Sequence, residues 1–248
     1  MRPGVTIAVP SFNQVRYLDQ ALRSIFAQDV PCEVLVMDGG STDGSVDLIR
    51  SWEPRLAGWY SGRDGGQSAA INRGIANGSA PYVTWLNSDD LLLDGALSRG
   101  VDLLERSPDA PACYGRTWDL AEKSGRRKPT WVEPFSEARL ALRCIVSQPG
   151  TIIRRSTWEA LGGLDTSLHM AMDYDLWWRV WRGFGPPAFL DDFVAINRLH
   201  ALSKTSTRRR AHYREAMSVV RRHYGRVPAK WWIAQPYQVW FRSGFTEF

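Results

Sequence analysis

The chain has 248 residues, of which 44% are hydrophobic and 23% charged, values ordinary for a soluble globular protein with one large domain or a domain and an appendage. Three cysteines (Cys32, Cys113, Cys144) show no metal-ligand spacing, and an odd count argues against a disulfide framework. No run is long enough to span a bilayer, and Val5 to Val9 is too short for a signal-peptide core, so a cytoplasmic protein with reduced cysteines is expected. The net charge of +5 is local: from Arg198 onward there are eleven Lys or Arg against two acids, and the remainder carries a net charge of −4.

Val5–Val9 is a β-branched run ending in Pro10-Ser11-Phe12-Asn13, and Leu18, Leu22, Ile25 and Phe26 follow at helical spacing. Glu33–Met37 is a second strand that stops in Asp38-Gly39-Gly40-Ser41-Thr42-Asp43-Gly44, with a helix after it. Trp59–Ser61 is a weak strand before Gly62-Arg63-Asp64-Gly65-Gly66-Gln67; Ala69–Ile75 then reads as helix, Pro81–Leu86 as strand and Leu91–Leu104 as helix. Strands alternating with helices predict an α/β fold with a mainly parallel sheet, and right-handed crossovers place the polar strand ends on one edge. There is no Walker A sequence and no G-x-G-x-x-G. Asp38 can accept a hydrogen bond from a base or ribose, or simply bond its own turn.

The most informative stretch is Val83-Thr84-Trp85-Leu86-Asn87-Ser88-Asp89-Asp90, an apolar run that stops in an amide, a hydroxyl and two carboxylates. Ligands collect beyond the carboxyl ends of parallel strands, and a hard divalent cation takes one or two carboxylates plus substrate phosphates. Strand alternation would put Asn87 and Asp89 on one side, with Ser88 and Asp90 on the other. Alternatively, an Asp here caps a helix beginning near Leu92.

Pro10-Ser11-Phe12-Asn13, Asp38-Gly39-Gly40-Ser41-Thr42-Asp43, Asp64-Gly65-Gly66-Gln67 with Ala70-Ile71-Asn72-Arg73-Gly74, and Asn87-Ser88-Asp89-Asp90 together resemble the family 2 glycosyltransferases. The resemblance implies the GT-A fold: a Rossmann-like nucleotide-sugar-binding half over residues 1–105 and a mixed acceptor half over 106–205. It implies that Pro10, Ser11 and Phe12 line the nucleobase site and that Asp38 contacts the base. Asp64, with Arg63 and Gln67, would close over base and ribose. Asn87 occupies the first position of the D-x-D motif, where it can bond a sugar hydroxyl but adds no charge. Asp89 is then the expected ligand of a divalent metal (Mn2+ or Mg2+), with Asp90 second.

Further on, Met172-Asp173-Tyr174-Asp175-Leu176-Trp177-Trp178 aligns with the family's Glu-Asp pair, Met172 replacing the Glu and Asp173 matching the catalytic base. An inverting transfer needs a carboxylate that takes the acceptor's proton. Asp175 competes for that role or for the acceptor site, and either Asp can instead cap the helix. Trp177 or Trp178 could stack on an acceptor sugar, although core packing is the simpler use of such a cluster. Asn197–Thr205 resembles the family's flexible Arg-x-His loop, which would bring His200 to the metal and Arg198 or Lys204 to phosphate charge.

Residues 206–248 form a basic, aromatic-rich extension in which Tyr213, Ala216, Met217, Val220 and Tyr224 give a helix one apolar face. With Trp231, Trp232, Ile233, Tyr237, Trp240, Phe241 and Phe245, it suits either packing on the domain or contact with an anionic membrane surface. No nucleic-acid recognition module accompanies the charge. The activity that the family resemblance implies is an inverting, metal-dependent transfer from a nucleotide sugar, a UDP-hexose, to a glycan or lipid-linked acceptor in bacterial surface-polysaccharide or lipopolysaccharide synthesis. Two rivals differ in class. A sugar-1-phosphate nucleotidyltransferase would carry a Gly-rich, basic loop after Val9, which is missing. A non-catalytic nucleotide-binding module has Met172 and Asn87 in its favour.

Overall fold

A computed structural model describes residues 4–237 and 239. In chain order the elements are β1 (Val5–Ser11), α1 (Val15–Phe26), β2 (Cys32–Asp38), α2 (Ser45–Trp52), β3 (Gly58–Ser61), α3 (Gln67–Ala76), β4 (Tyr82–Trp85), β5 (Leu91–Leu92) and α4 (Ala96–Arg106). There follow β6 (Ala112–Ala121), β7 (Arg127–Pro129), α5 (Glu137–Leu142), β8 (Thr151–Arg154), α6 (Arg155–Leu161), α7 (Met172–Phe184), β9 (Ala188–Leu199), α8 (Lys204–Thr207), α9 (Arg209–Tyr224) and α10 (Ala229–Pro236). One mixed sheet runs in the order β3-β2-β1-β4-β8-β6-β9-β5, with β7 paired to β6.

The first four strands in that order are parallel to one another. Their register sets Ser11 against Asp38 and Asp38 against Ser61, so three strand ends finish level and release their loops at one edge. The apolar runs are continuous because both faces are covered. Val5, Ile7 and Val9 enter one core with Leu18 and Leu22 of α1, while Ala8 enters the other with Ile71 and Ile75 of α3. At Gly74 an added Cβ would lie 2.8 Å from that of Ala8, so only glycine lets α3 lie this close to β1.

Beyond β4 the sheet changes sense. β8 pairs antiparallel with β4 and β6, and β6 runs parallel to the long β9. The helix expected from Leu91 begins at Ala96 instead, because Leu91 and Leu92 pair with Ile196 and Ala195 as strand. Arg154 and Arg155 tie backbone together. Arg154 donates to the carbonyls of Ala110 and Leu104, and Arg155 to those of Ala80 and Ile75 and to Thr6 Oγ1.

Helix α9 and Trp231 of α10 pack on the domain. Tyr213, Ala216, Met217, Val219 and Val220 of α9 are buried in the core that holds α7, and Trp231 Nε1 donates to Ala141 O at 2.8 Å. Trp240, Phe241 and Phe245 lie outside the described residues. No helix among the described residues is long and apolar enough to cross a membrane.

Candidate active site

The loops after β1 and β2 are stitched together. Asn13 N donates to Ser41 Oγ at 2.7 Å, Thr42 N to Asn13 Oδ1 at 2.9 Å, and Val15 N to Asp43 Oδ2 at 3.0 Å. Asn13 adopts φ of 54°, a left-handed conformation that asparagine tolerates better than most residues. Pro10 and Ser11 are buried as the last residues of β1, whereas Phe12 is 60% exposed. Phe12 Cδ2 and Asp64 Oδ2 stand 3.2 and 3.4 Å from the point where a Gly39 Cβ would lie, so this glycine opens a notch between an aromatic ring and a carboxylate. Asp64 Oδ1 accepts from Gly66 N at 2.8 Å, and Arg63 beside it is exposed.

Asp38 differs from the expectation of a base contact. It is fully buried, and its carboxylate accepts from Gly40 N, Ser41 N, Ser41 Oγ and Ser61 Oγ. It braces the loop from beneath and presents no atom to the cleft, which is the self-bonded turn that its residue type also allows.

The stretch after β4 does not continue the strand, so alternation fails there. Asp90 N donates to Asn87 O at 3.0 Å, closing a turn that brings Asn87 and Asp90 together: Asn87 Nδ2 donates to Asp90 Oδ2 at 3.1 Å. Asp90, expected as a second metal ligand, is buried and accepts the backbone N–H of Arg198 at 3.0 Å. Burial, and then the neighbouring Asp89 carboxylate, push its pKa well above the ordinary range. It anchors β9 and does not face the cleft.

Asp89 points the other way. Its Oδ2 lies 2.9 Å from Nε2 of His200, a residue 111 positions later in the chain. The His200 ring packs on Tyr17, and its Nδ1 is buried without a partner, so packing and not a second hydrogen bond fixes the ring. Arg198 holds this corner rather than standing free. Its Nε donates to Asp89 O at 3.0 Å, its guanidinium reaches Gln20, and it lies over the Tyr17 ring. Among the described residues no third His, Cys, Asp or Glu joins Asp89 and His200. One carboxylate and one imidazole fit a divalent ion that completes its shell with substrate phosphates and water.

A polar chain crosses the cleft floor from there. Lys204 Nζ donates to Gln67 Oε1 at 3.1 Å, Gln67 Nε2 to Asn87 Oδ1 at 2.8 Å, and Gln148, in turn, holds Asn87 and Trp85 O. Gln148 opens the stretch 148–155, which resembles family sequences leading to the acceptor site, but that resemblance gives it no individual role; here it closes the floor beside Asn87. Burial lowers the pKa of Lys204 and the nearby Arg208 adds to this, while Glu215 and Asp173 oppose it.

Asp173 sits in the first turn of α7, close enough to Lys204, His212, Glu215 and Cys144 to interact electrostatically with each. Burial raises its pKa above the usual 3.8, against the Tyr174 backbone N–H and His212, which favour the charged form. That is the direction a general base requires.

Its expected companions are elsewhere. Asp175, two residues on and nearly opposite around the helix, is 1% exposed and accepts from Arg179 Nε and His223 Nε2, both at 2.7 Å. Although burial opposes it, the His223 and Arg179 contacts leave its pKa lowered, so Asp175 is an ion-pair anchor between α7 and α9 and neither base nor acceptor ligand. Trp177 and Trp178 are also not an acceptor wall. Both are fully buried, Trp177 stacked on Trp85 at 6.3 Å and Trp178 on His223 at 5.9 Å. Trp177→Ala is expected to cost about 3–5 kcal/mol of stability, read as a lowered denaturant midpoint.

Comparison with known proteins bears on the family and the fold. Residues 6–159 match the family described as Glycosyl transferase family 2. An uncharacterized glycosyltransferase of Rickettsia conorii is 24% identical over 227 residues, covering 87% of this chain and 37% of the relative. One from Mycobacterium tuberculosis is 30% identical over 178 residues, covering 70% of this chain and 67% of the relative. The chain thus spans little more than a third of the Rickettsia relative. Among solved structures, S. aureus TarS 1-349 in complex with UDP-GlcNAc superposes with a TM-score of 0.74 at 17% identity, over 98% of this chain and 75% of that one. The mannosyltransferase PcManGT from Pyrobaculum calidifontis, in complex with GDP-Man and Mn2+, gives 0.69 at 20% identity, over 99% and 72%. With the family match running over more than half of its length and these neighbours sharing its curled mixed sheet, the chain belongs to glycosyl transferase family 2 and has the GT-A fold.

Proposed function

We propose that the chain is an inverting, divalent-metal-dependent glycosyltransferase that moves a sugar from a nucleotide sugar, a UDP-hexose, to a hydroxyl of a glycan or lipid-linked acceptor. The observation that carries this is the 2.9 Å approach of His200 to Asp89, which brings the last acid-bearing loop of the nucleotide half against the end of β9. The notch at Gly39, walled by Phe12 and Asp64, suits a base and ribose. Asp89 and His200 would hold a Mn2+ or Mg2+ ion, and such an ion, when bound, neutralises a departing diphosphate.

The chain's own groups supply the rest. Gln67 and Asn87 offer amides to the sugar or ribose, with Lys204 adding positive charge beside them. Asp173 accepts the acceptor hydroxyl's proton as that oxygen attacks the anomeric carbon from the side away from the diphosphate. A single displacement of this kind inverts the anomeric centre. Incubation with UDP-hexoses and Mn2+ is expected to release UDP, faster when a hydroxyl acceptor is present than with water alone. Failure to release any nucleoside diphosphate from any nucleotide sugar would favour the non-catalytic module.

The setting we propose is surface-polysaccharide or lipopolysaccharide assembly at the inner face of a bacterial membrane. In α10, Trp232 and Ile233 are 52% and 79% exposed, Tyr237 follows at 51%, and the segment carries Lys230. Aromatic and basic residues so placed suit the interface of an anionic bilayer. The protein is expected to sediment with vesicles containing anionic phospholipid at low salt, and the Trp232→Ala/Ile233→Ala double variant is expected to stay in the supernatant. Equal sedimentation of the two would exclude this contact.

A further inference from the structure

We infer that Glu215 of α9 is a positioning residue for the general base, holding the loop that delivers Asp173 to the cleft; this rests on Asp173 being that base. Its Oε1 accepts the backbone N–H of His169 at 2.9 Å, and its Oε2 accepts those of Met170 and, at 2.6 Å, of Ala171. Three successive amides therefore converge on one carboxylate contributed from 44 or more residues away. Ala171 is the residue immediately before α7, and Asp173 lies two residues beyond it.

These amides need an external partner. The first N–H groups of a helix, and those leading into it, have no carbonyl within the helix to bond. No side chain of the N-cap residue Ala171 serves α7, so without Glu215 the amides of 169–171 lose their acceptor. A carboxylate is suited to the task, because charge-assisted bonds are stronger than neutral ones and a helix N-terminus favours negative charge.

The rest of the loop is fixed independently by the nucleotide half. Asn72 of α3 donates to Leu164 O at 2.9 Å and accepts from Leu164 N at 2.8 Å, and Ser68 Oγ donates to Leu168 O at 3.2 Å. Glu215 supplies the last anchor, next to the base itself. Its own position is set by the buried Tyr213, Ala216 and Met217 around it on α9. A segment that reads as a basic tail thereby contributes to the geometry of the reacting centre.

The test is steady-state kinetics and donor calorimetry on the full chain carrying Glu215→Gln or Glu215→Ala. Misplacement of a reacting group by about 1 Å can cost roughly a hundredfold in rate. We expect kcat to fall about tenfold in Glu215→Gln, whose amide oxygen still accepts, and about a hundredfold in Glu215→Ala, with donor Kd within about twofold of the parent. The acid limb of the kcat–pH profile should also move to lower pH. Lys204, His212, Cys144, Tyr174 and Glu215 are the charged or titratable groups that interact electrostatically with Asp173, and Glu215 is one that holds its proton on. If Glu215→Ala does not fold, the isosteric Glu215→Gln decides alone. A kcat within twofold of the parent overturns the inference, as does a loss of kcat matched by an equal loss of donor affinity with the acid limb unmoved. Failure of the base assignment is distinguishable: it shows as normal turnover by Asp173→Asn, whatever Glu215 does.

Discussion

Asp173→Asn is expected to lower the rate of sugar transfer by about 10²–10⁴-fold, while nucleotide and donor bind as they do to the parent. The substitution keeps the size of the side chain and its contact with the Tyr174 amide but removes the group that can take a proton. Because Asp173 lies in the α7 half and the donor loops follow β1–β4, the loss should fall on kcat and leave donor affinity in place. Near-normal turnover by this variant would remove Asp173 from the mechanism. The parent enzyme carries a related signature in its pH profile. Burial raises the Asp173 pKa above 3.8, and a base works only when deprotonated. Activity should therefore climb with rising pH along an acid limb displaced above the usual aspartate range, and the Asn variant should lose that limb.

Asp89→Ala should be comparably severe for a different reason. In the proposed site Asp89 and His200 are, among the described residues, the two side chains that would hold the ion, so deleting the carboxylate would remove half of that hold. Electrostatic stabilisation of a leaving group is commonly the largest single catalytic contribution, and its loss is expected to cost about 10²–10³-fold or more in kcat. Calorimetry should show that Mn2+ no longer strengthens nucleotide binding to this variant. An unchanged metal effect would place the ion elsewhere. Asp90→Asn serves as the contrast: Asp90 faces Arg198 N and Asn87 Nδ2, so its substitution should lower stability more than metal affinity.

Much of the nucleotide half was legible because its signals are local. Continuous β-branched runs mark strands buried on both faces, and Val5–Ser11 and Cys32–Asp38 are such strands. Each polar loop follows directly in sequence, so topology alone brings the loops to one edge. What was not legible depends on partners distant in sequence. The turn closing Asn87 to Asp90 breaks strand alternation, and only β9 arriving beside it decides that Asp89 faces His200 while Asp90 faces Arg198. Trp177 and Trp178 have the residue type of a sugar platform, but the α7 face they occupy is covered by the sheet and by α9. Asp175 has the chemistry of Asp173 and lies two residues away, yet helical geometry sends it to Arg179 and His223 instead. Glu215, in a stretch dominated by arginines, gives no local hint that it bonds three amides before α7.

Calorimetric titration of the parent protein with UDP, GDP and other nucleoside diphosphates, each with and without Mn2+, tests the donor site most directly. The proposed function predicts that one nucleotide binds, UDP ahead of the others, and the arrangement of Asp89 and His200 predicts that omitting the metal weakens it at least about tenfold, because two protein ligands would leave the ion dependent on the diphosphate. Tight binding of GDP in place of UDP would keep the enzyme class and change the donor. Absence of metal-dependent binding for every nucleotide would contradict the assignment of this cleft as a nucleotide-sugar site.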